Sequence, residues 1–171
     1  MDDVQFWKII KKAKSNADGE IEEIAEEVQS QLTELPAAEI QAFDELFRTK
    51  MNAAYFWKLW GAAYLINGGS SDDGFEYFRA WLIAQGQKVY EAALADPDSL
   101  AKISDPDNDQ HECEDLIYVA AEAYQEVEGK ELPPLKKSVL PPKEPAGEEW
   151  DFDDEAEMSK RLPKLAKKHA P

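Results

Sequence analysis

The sequence predicts an all-α fold: a compact domain of about six to seven helices over residues 1–133, followed by a Pro-rich, charge-segregated, disordered tail over residues 134–171. Three observations carry this expectation. Apolar residues of the first 128 positions recur every three to four residues and nowhere alternate cleanly with a period of two. Glycine, proline and Asx clusters interrupt that pattern at intervals suited to helices. Composition changes near Gly129, beyond which lie seven of the ten prolines but only two of the 18 aromatic residues.

Helix by helix, Val4 to Lys14 gathers Phe6, Ile9, Ile10 and Ala13 on one side and Lys8, Lys11 and Lys12 on the other, until Asn16-Ala17-Asp18-Gly19 breaks it. Glu20 to Gln31 aligns Ile21, Ile24, Val28 and Leu32 against Glu22, Glu23, Glu26 and Glu27. A third helix starts near Pro36 and buries Ile40, Phe43, Phe47 and Met51. Ala53 to Ile66 is apolar over more than half its circumference, which predicts a central helix ending at Asn67-Gly68-Gly69. Ser70 to Asp73 supplies N-cap residues for a helix from Gly74 to Gln85, with Gly86 interrupting its continuation through Leu94. Asp96-Pro97-Asp98 opens a short turn of helix, and a last helix runs from Glu112 to Glu128.

Beyond residue 129 the apolar content is too low to offset ordering entropy, and an acidic block from Glu144 to Glu157 precedes a basic one from Lys160 to Lys168. Removal of residues 134–171 is therefore expected to change thermal unfolding little. Docking by Trp150 and Phe152 as a short linear anchor is the one exception considered.

Net charge is -17, and all of it belongs to the first 128 residues, because the remainder holds nine acids and nine bases. Such a chain has little positive surface with which to displace phosphate counterions, so no direct nucleic-acid binding is expected. No apolar run approaches a bilayer span, and the chain opens on Met1-Asp2-Asp3 rather than on a basic leader, so a cytoplasmic protein without membrane association is expected. One cysteine, Cys113, permits neither an internal disulfide nor a multi-cysteine zinc site.

The candidate chemistry centres on Ser70 to Ile83. Helical spacing sets Arg79 among Phe75, Leu82 and Ile83, inside the apolar face, where a guanidinium needs a partner. Asp72 and Asp73, one or two turns upstream, are the expected partners in a buried ion pair. A second reading has Arg79 and one Asp lining a pocket walled by Trp57, Trp60, Tyr64 and Trp81 that holds a polar small molecule. Asp105, Asp107 and Asp109 imitate positions one, three and five of a calcium loop, but Gln110 and Leu116 stand where glycine and glutamate are required. No metal or cofactor is expected, and the neighbouring Cys113 is read as a buried thiol beside a solvent-facing His111. No nucleophile elbow, phosphate-binding loop or paired histidines occur, so no catalytic residue is assigned.

Phe6-Trp7, Trp60-Gly61-Ala62-Ala63-Tyr64-Leu65-Ile66, and the string from Gly68 through Phe75 to Phe78-Arg79-Ala80-Trp81-Leu82-Ile83 with Gly86 resemble the bacterial DUF4240 family. Asp96 to Leu100, and Tyr118-Val119-Ala120 through Tyr124 to Pro133, extend the resemblance over about residues 1–133. It implies a small helical domain with no established activity and leaves the tail outside.

The functional expectation is a nonenzymatic binding domain. The acidic face of Glu22, Glu23, Glu26 and Glu27, with the acidic final loop, steers toward a basic protein partner, as an inhibitor or immunity protein does. The alternative is a small-molecule-binding protein or enzyme with a polar site at Asp72, Asp73 and Arg79 in the aromatic pocket.

Overall fold

The computed structural model describes residues 1–108 and 111–169. Among the described residues the α-helices are α1 (Asp3–Asn16), α2 (Ile21–Thr33), α3 (Ala37–Ala53), α4 (Trp57–Ile66), α5 (Asp72–Ala84), α6 (Gln87–Ala95), α7 (Val119–Glu128), α8 (Glu155–Arg161) and α9 (Pro163–Lys168). Short 3-10 turns lie at Pro97–Lys102, Asp115–Ile117 and Lys137–Val139. Among the described residues there is no strand, only an isolated bridge between Phe56 and Ala146. The all-α class follows, with more helices than the sequence suggests.

Local chemistry accounts for the boundaries. Asp2 and Gln5 cap α1 reciprocally, each side chain accepting from the other's backbone N–H at 2.8 Å. The Ser71 side chain accepts from Gly74 at 3.1 Å and starts α5. Gly86 takes φ 95°, a conformation that side chains with a Cβ rarely adopt, and so separates α5 from α6. α2 packs between α1 and α7, and α3 also lies on α7, which places Phe6, Phe43, Phe47, Phe75 and Phe78 in one core. Aromatic pairs knit it: Phe6 stacks on Phe43 at 4.9 Å and meets Trp7 edge-on at 5.1 Å.

Two boundaries differ from the sequence reading for tertiary reasons. The apolar run from Ala53 is broken at Ala54 to Phe56, where Tyr55 C=O accepts from Ala146 and Trp57 N–H donates to Ala146 C=O; the helix begins only afterwards. The last helix starts at Val119 instead of Glu112, because Cys113 N–H donates to Tyr77 C=O at 3.0 Å and draws this stretch along α5.

The expected disordered tail is the main correction. After the bridge to Phe56, the chain crosses α4, turns into α8 and α9, and buries Met158, Leu162 and Leu165 in the main core. Asp98, 3% exposed, accepts the backbone N–H groups of Lys164 and Leu165 at 2.9 to 3.1 Å, so the first turn of α9 ends on a buried carboxylate. Lys168 donates to the carbonyls of Ala101 and Ser104, and His169 meets the Ser104 hydroxyl at 2.8 Å. Few apolar residues are needed when each falls on a prepared surface. Average composition does not report that.

Candidate functional site

The aromatic residues singled out in the sequence are divided between α4, which carries Trp57, Trp60 and Tyr64, and α5, which carries Trp81. On the α4 side, Trp57 and Trp60 stack at 5.2 Å, and Trp60 stacks on Phe75 at 4.9 Å. The Trp60 indole donates to Ser70 C=O at 3.0 Å, which ties the glycine loop to α4. Phe152 packs across Trp57, Trp60 and Tyr64 at 5.4 to 6.3 Å, and Tyr64 donates its hydroxyl to Asp153 at 2.6 Å. Trp150 lies over Gly61, where an added Cβ would meet the indole at 2.5 Å. The guanidinium of Arg161 lies over the Trp150 ring at 4.6 Å and pairs with Glu148 and Glu157.

This stretch thus docks through Trp150 and Phe152. Trp57, Trp60 and Tyr64, read from the sequence as walls of a ligand pocket, face the chain's own tail. Gly61→Ala places a methyl group inside the indole contact and is expected to destabilise the protein by about 1–3 kcal/mol. Adding Trp150→Ala should restore part of that loss, which a double-mutant cycle by urea unfolding would read.

Arg79 is buried, 9% exposed, as its helical position requires. Its partners are not Asp72 or Asp73. The guanidinium donates to Met51 C=O at 2.8 Å and Phe75 C=O at 3.3 Å, and lies over the rings of Tyr55 at 4.7 Å and Phe75 at 5.0 Å. Met51 belongs to the last turn of α3, whose carbonyls lack partners within the helix. Burial pulls the Arg79 pKa below its ordinary value, opposed by the fields of Glu76 and Tyr55. Asp72 and Asp73 are exposed in the first turn of α5, where the helix dipole and water stabilise them without any cation. Trp81 points elsewhere, packing on Phe78 and edge-on to His111 at 4.9 Å. Arg79, the two aspartates and the four aromatic residues therefore do not converge on one pocket.

His111 is 4% exposed, contrary to the solvent-facing placement read from sequence. Its N–H donates to the Asn67 side chain at 3.1 Å, and its Nε2 accepts from Asp105 N–H at 3.3 Å. Cys113 is buried as expected, and burial pushes its thiol up to about 11. Asp109 and Gln110, two members of the calcium-loop comparison, lie outside the described residues. Among the described residues no group of three or more His, Cys, Asp and Glu is placed to hold a metal ion. Among them also, no helix is long and apolar enough to cross a membrane.

The structure does assemble an acidic face. Glu22, Glu23 and Glu26 are exposed along α2, and the partly exposed Glu27 accepts from Asn16 at 2.7 Å. At the start of α2 a groove of about 300 Å³ is lined by Ile21, Glu22, Glu112, Cys113, Glu114 and Asp115. Partial burial and then the neighbouring Glu114 raise the Glu112 carboxyl above its ordinary value. Tyr77, hydrogen-bonded to Glu114, is pushed up to about 12, so that bond keeps its proton throughout the neutral range. The convergence of Glu22 with residues 112–115 was not readable in the sequence, which separates them by some 90 positions. The only hint was the shared apolar character of Ile21 and Cys113, which pack together beneath the acids, the thiol meeting Ile21 C=O at 3.9 Å.

Residues 1–126 match the model of a family described as a protein of unknown function, DUF4240. The chain belongs to the DUF4240 family. No curated protein and no solved structure matches it. The DUF4240 match takes in α1 to α6 and most of α7, including the acidic face and Arg79, and ends before the segment that carries Trp150, Phe152, α8 and α9.

Proposed function

We propose that this DUF4240 chain is a nonenzymatic α-helical binding domain of the cytoplasm that engages a basic protein partner, in an inhibitor- or immunity-type role. The observation that carries the reading is the continuity of the α2 acids with the groove formed by Glu22, Glu112, Glu114 and Asp115. Carboxylates gathered around a small concave site with an apolar floor suit a lysine or arginine side chain, whose stem packs on Ile21 while its charge meets the rim. The surrounding negative field accelerates encounter with a basic surface and discourages acidic competitors.

The test is affinity capture with wild type and with a variant carrying Glu22→Lys, Glu23→Lys, Glu26→Lys and Glu27→Lys. Wild type should retain basic proteins that are released at about 1 M salt, where the Debye length falls to roughly 3 Å. The variant should lose them while staying folded, since Glu22, Glu23 and Glu26 are exposed and Glu27 gives up only its hydrogen bond from Asn16. Equal retention by both chains would remove this face from the interface. Capture should also weaken as pH drops toward the carboxylate range. Glu112, with its raised pKa, becomes neutral before an ordinary glutamate and gives up its share of the attraction first.

A further inference from the structure

We propose that the groove between α1 and the α5–α6 junction binds a small amphiphilic anion, an apolar body bearing one carboxylate, sulfonate or phosphate group. This groove, of about 730 Å³, falls within the size range of small-molecule sites. It is lined on the α1 side by Val4, Trp7, Lys8, Lys11 and Lys14, and across from them by Lys88. In a segment where acids outnumber bases by 27 to 10 over residues 1–128, four of the ten bases face one cavity.

The lysines there are not spent on neighbouring acids. Among the described residues Lys8, Lys11 and Lys88 have no ion-pair partner, and Lys14 donates to the Gln85 carbonyl at 3.0 Å, fixing the far wall. The wall continues into the start of α6, whose cap residue Gly86 offers no side chain to its first N–H groups. Two apolar side chains share the lining with these donors, Val4, which is 76% exposed, and the largely buried Trp7.

Charge and size together select the ligand. A polyanion or an acidic protein would bring many negative charges toward a molecule of net charge -17 and be repelled over its whole surface. A small monoanion meets that field with a single charge and is compensated by the lysines that line the groove, while its apolar part covers Val4 and Trp7.

Titration of the full chain with dodecanoate, and in parallel with dodecyltrimethylammonium, by calorimetry and amide NMR tests this. Dodecanoate should bind and shift the amides of Val4 to Lys11 and of Gly86 to Lys88, whereas the cation of equal chain length should leave them unmoved. The triple variant Lys8→Gln, Lys11→Gln, Lys88→Gln should weaken dodecanoate by about tenfold or more, as expected for losing charge-assisted contacts. Val4→Ser, which keeps every lysine, should weaken it by a few-fold through the lost apolar contact. All four positions are exposed, so both variants should melt with wild type. Absence of dodecanoate binding, equal binding of the cation at these amides, shifts confined to another region, or unchanged affinity in the triple variant would each overturn the site.

Discussion

Deletion of residues 134–171 is expected to lower stability by about 3–5 kcal/mol, and the melting temperature by roughly 10 °C, rather than leaving unfolding almost unchanged. Leu162 and Leu165 are fully buried and Met158 nearly so, all within the core shared with α4 and the Pro97–Lys102 turn. Removing them exposes the apolar surface they cover and leaves the Asp98 carboxylate, now capping α9, without its two backbone donors. The gross loss is larger than the net figure, because each residue released from this strap, residues 134–171, regains backbone entropy of about 1–2 kcal/mol. Urea unfolding of the truncated and full chains measures the difference. A point variant localises it: Leu162→Ala should cost about 2–5 kcal/mol, a range that only a buried leucine reaches. An unchanged midpoint in both variants would mean that the strap does not dock in solution.

The second large effect falls on Arg79, and its cause differs from an ion pair. Arg79→Ala removes the donors of two carbonyls, one of them at the open end of α3, and leaves a void beneath Tyr55 and Phe75. The expected loss is about 2–4 kcal/mol. Arg79→Met retains the apolar stem and should recover part of it, the remainder being the unsatisfied Met51 carbonyl at about 1–3 kcal/mol. Asp72→Asn and Asp73→Asn should each stay within about 0.5 kcal/mol of wild type, since both carboxylates are exposed. The aspartate variants discriminate the two explanations most sharply. Were either Asp the partner of a buried guanidinium, its neutralisation would cost about 3–5 kcal/mol.

Much of the helical architecture is readable without coordinates. Helix α2 is an example: its apolar positions Ile24, Val28 and Leu32 stand one turn apart and are buried together with Ala25, with Ile21 half-buried and Glu22, Glu23 and Glu26 outward. Periodicity reports which face of a helix leaves water, because that depends on neighbours three and four residues away. The same logic correctly buried Arg79. It could not name the partner, because an arginine long enough to reach two turns along its own helix also reaches the end of another, and the Met51 carbonyl comes from 28 positions upstream.

What the sequence by itself determined is the set of local decisions: the all-α class, most of the buried faces, the break at Gly86, a helix cap within Ser70 to Asp73 and the concentration of negative charge before Gly129. Tertiary structure alone decided where distant segments meet. It placed Glu22 beside Glu112, Glu114 and Asp115, turned His111 inward against Trp81, and seated Trp150 on the bare backbone of Gly61. The last case shows the physical reason. A glycine within an apolar helix reads as a local weakness, and a tail rich in proline and charge reads as unable to build a core of its own. Each reading holds for its segment in isolation. Ordering of the strap depends on the free energy of two surfaces fitting together, and neither stretch of sequence contains that quantity alone.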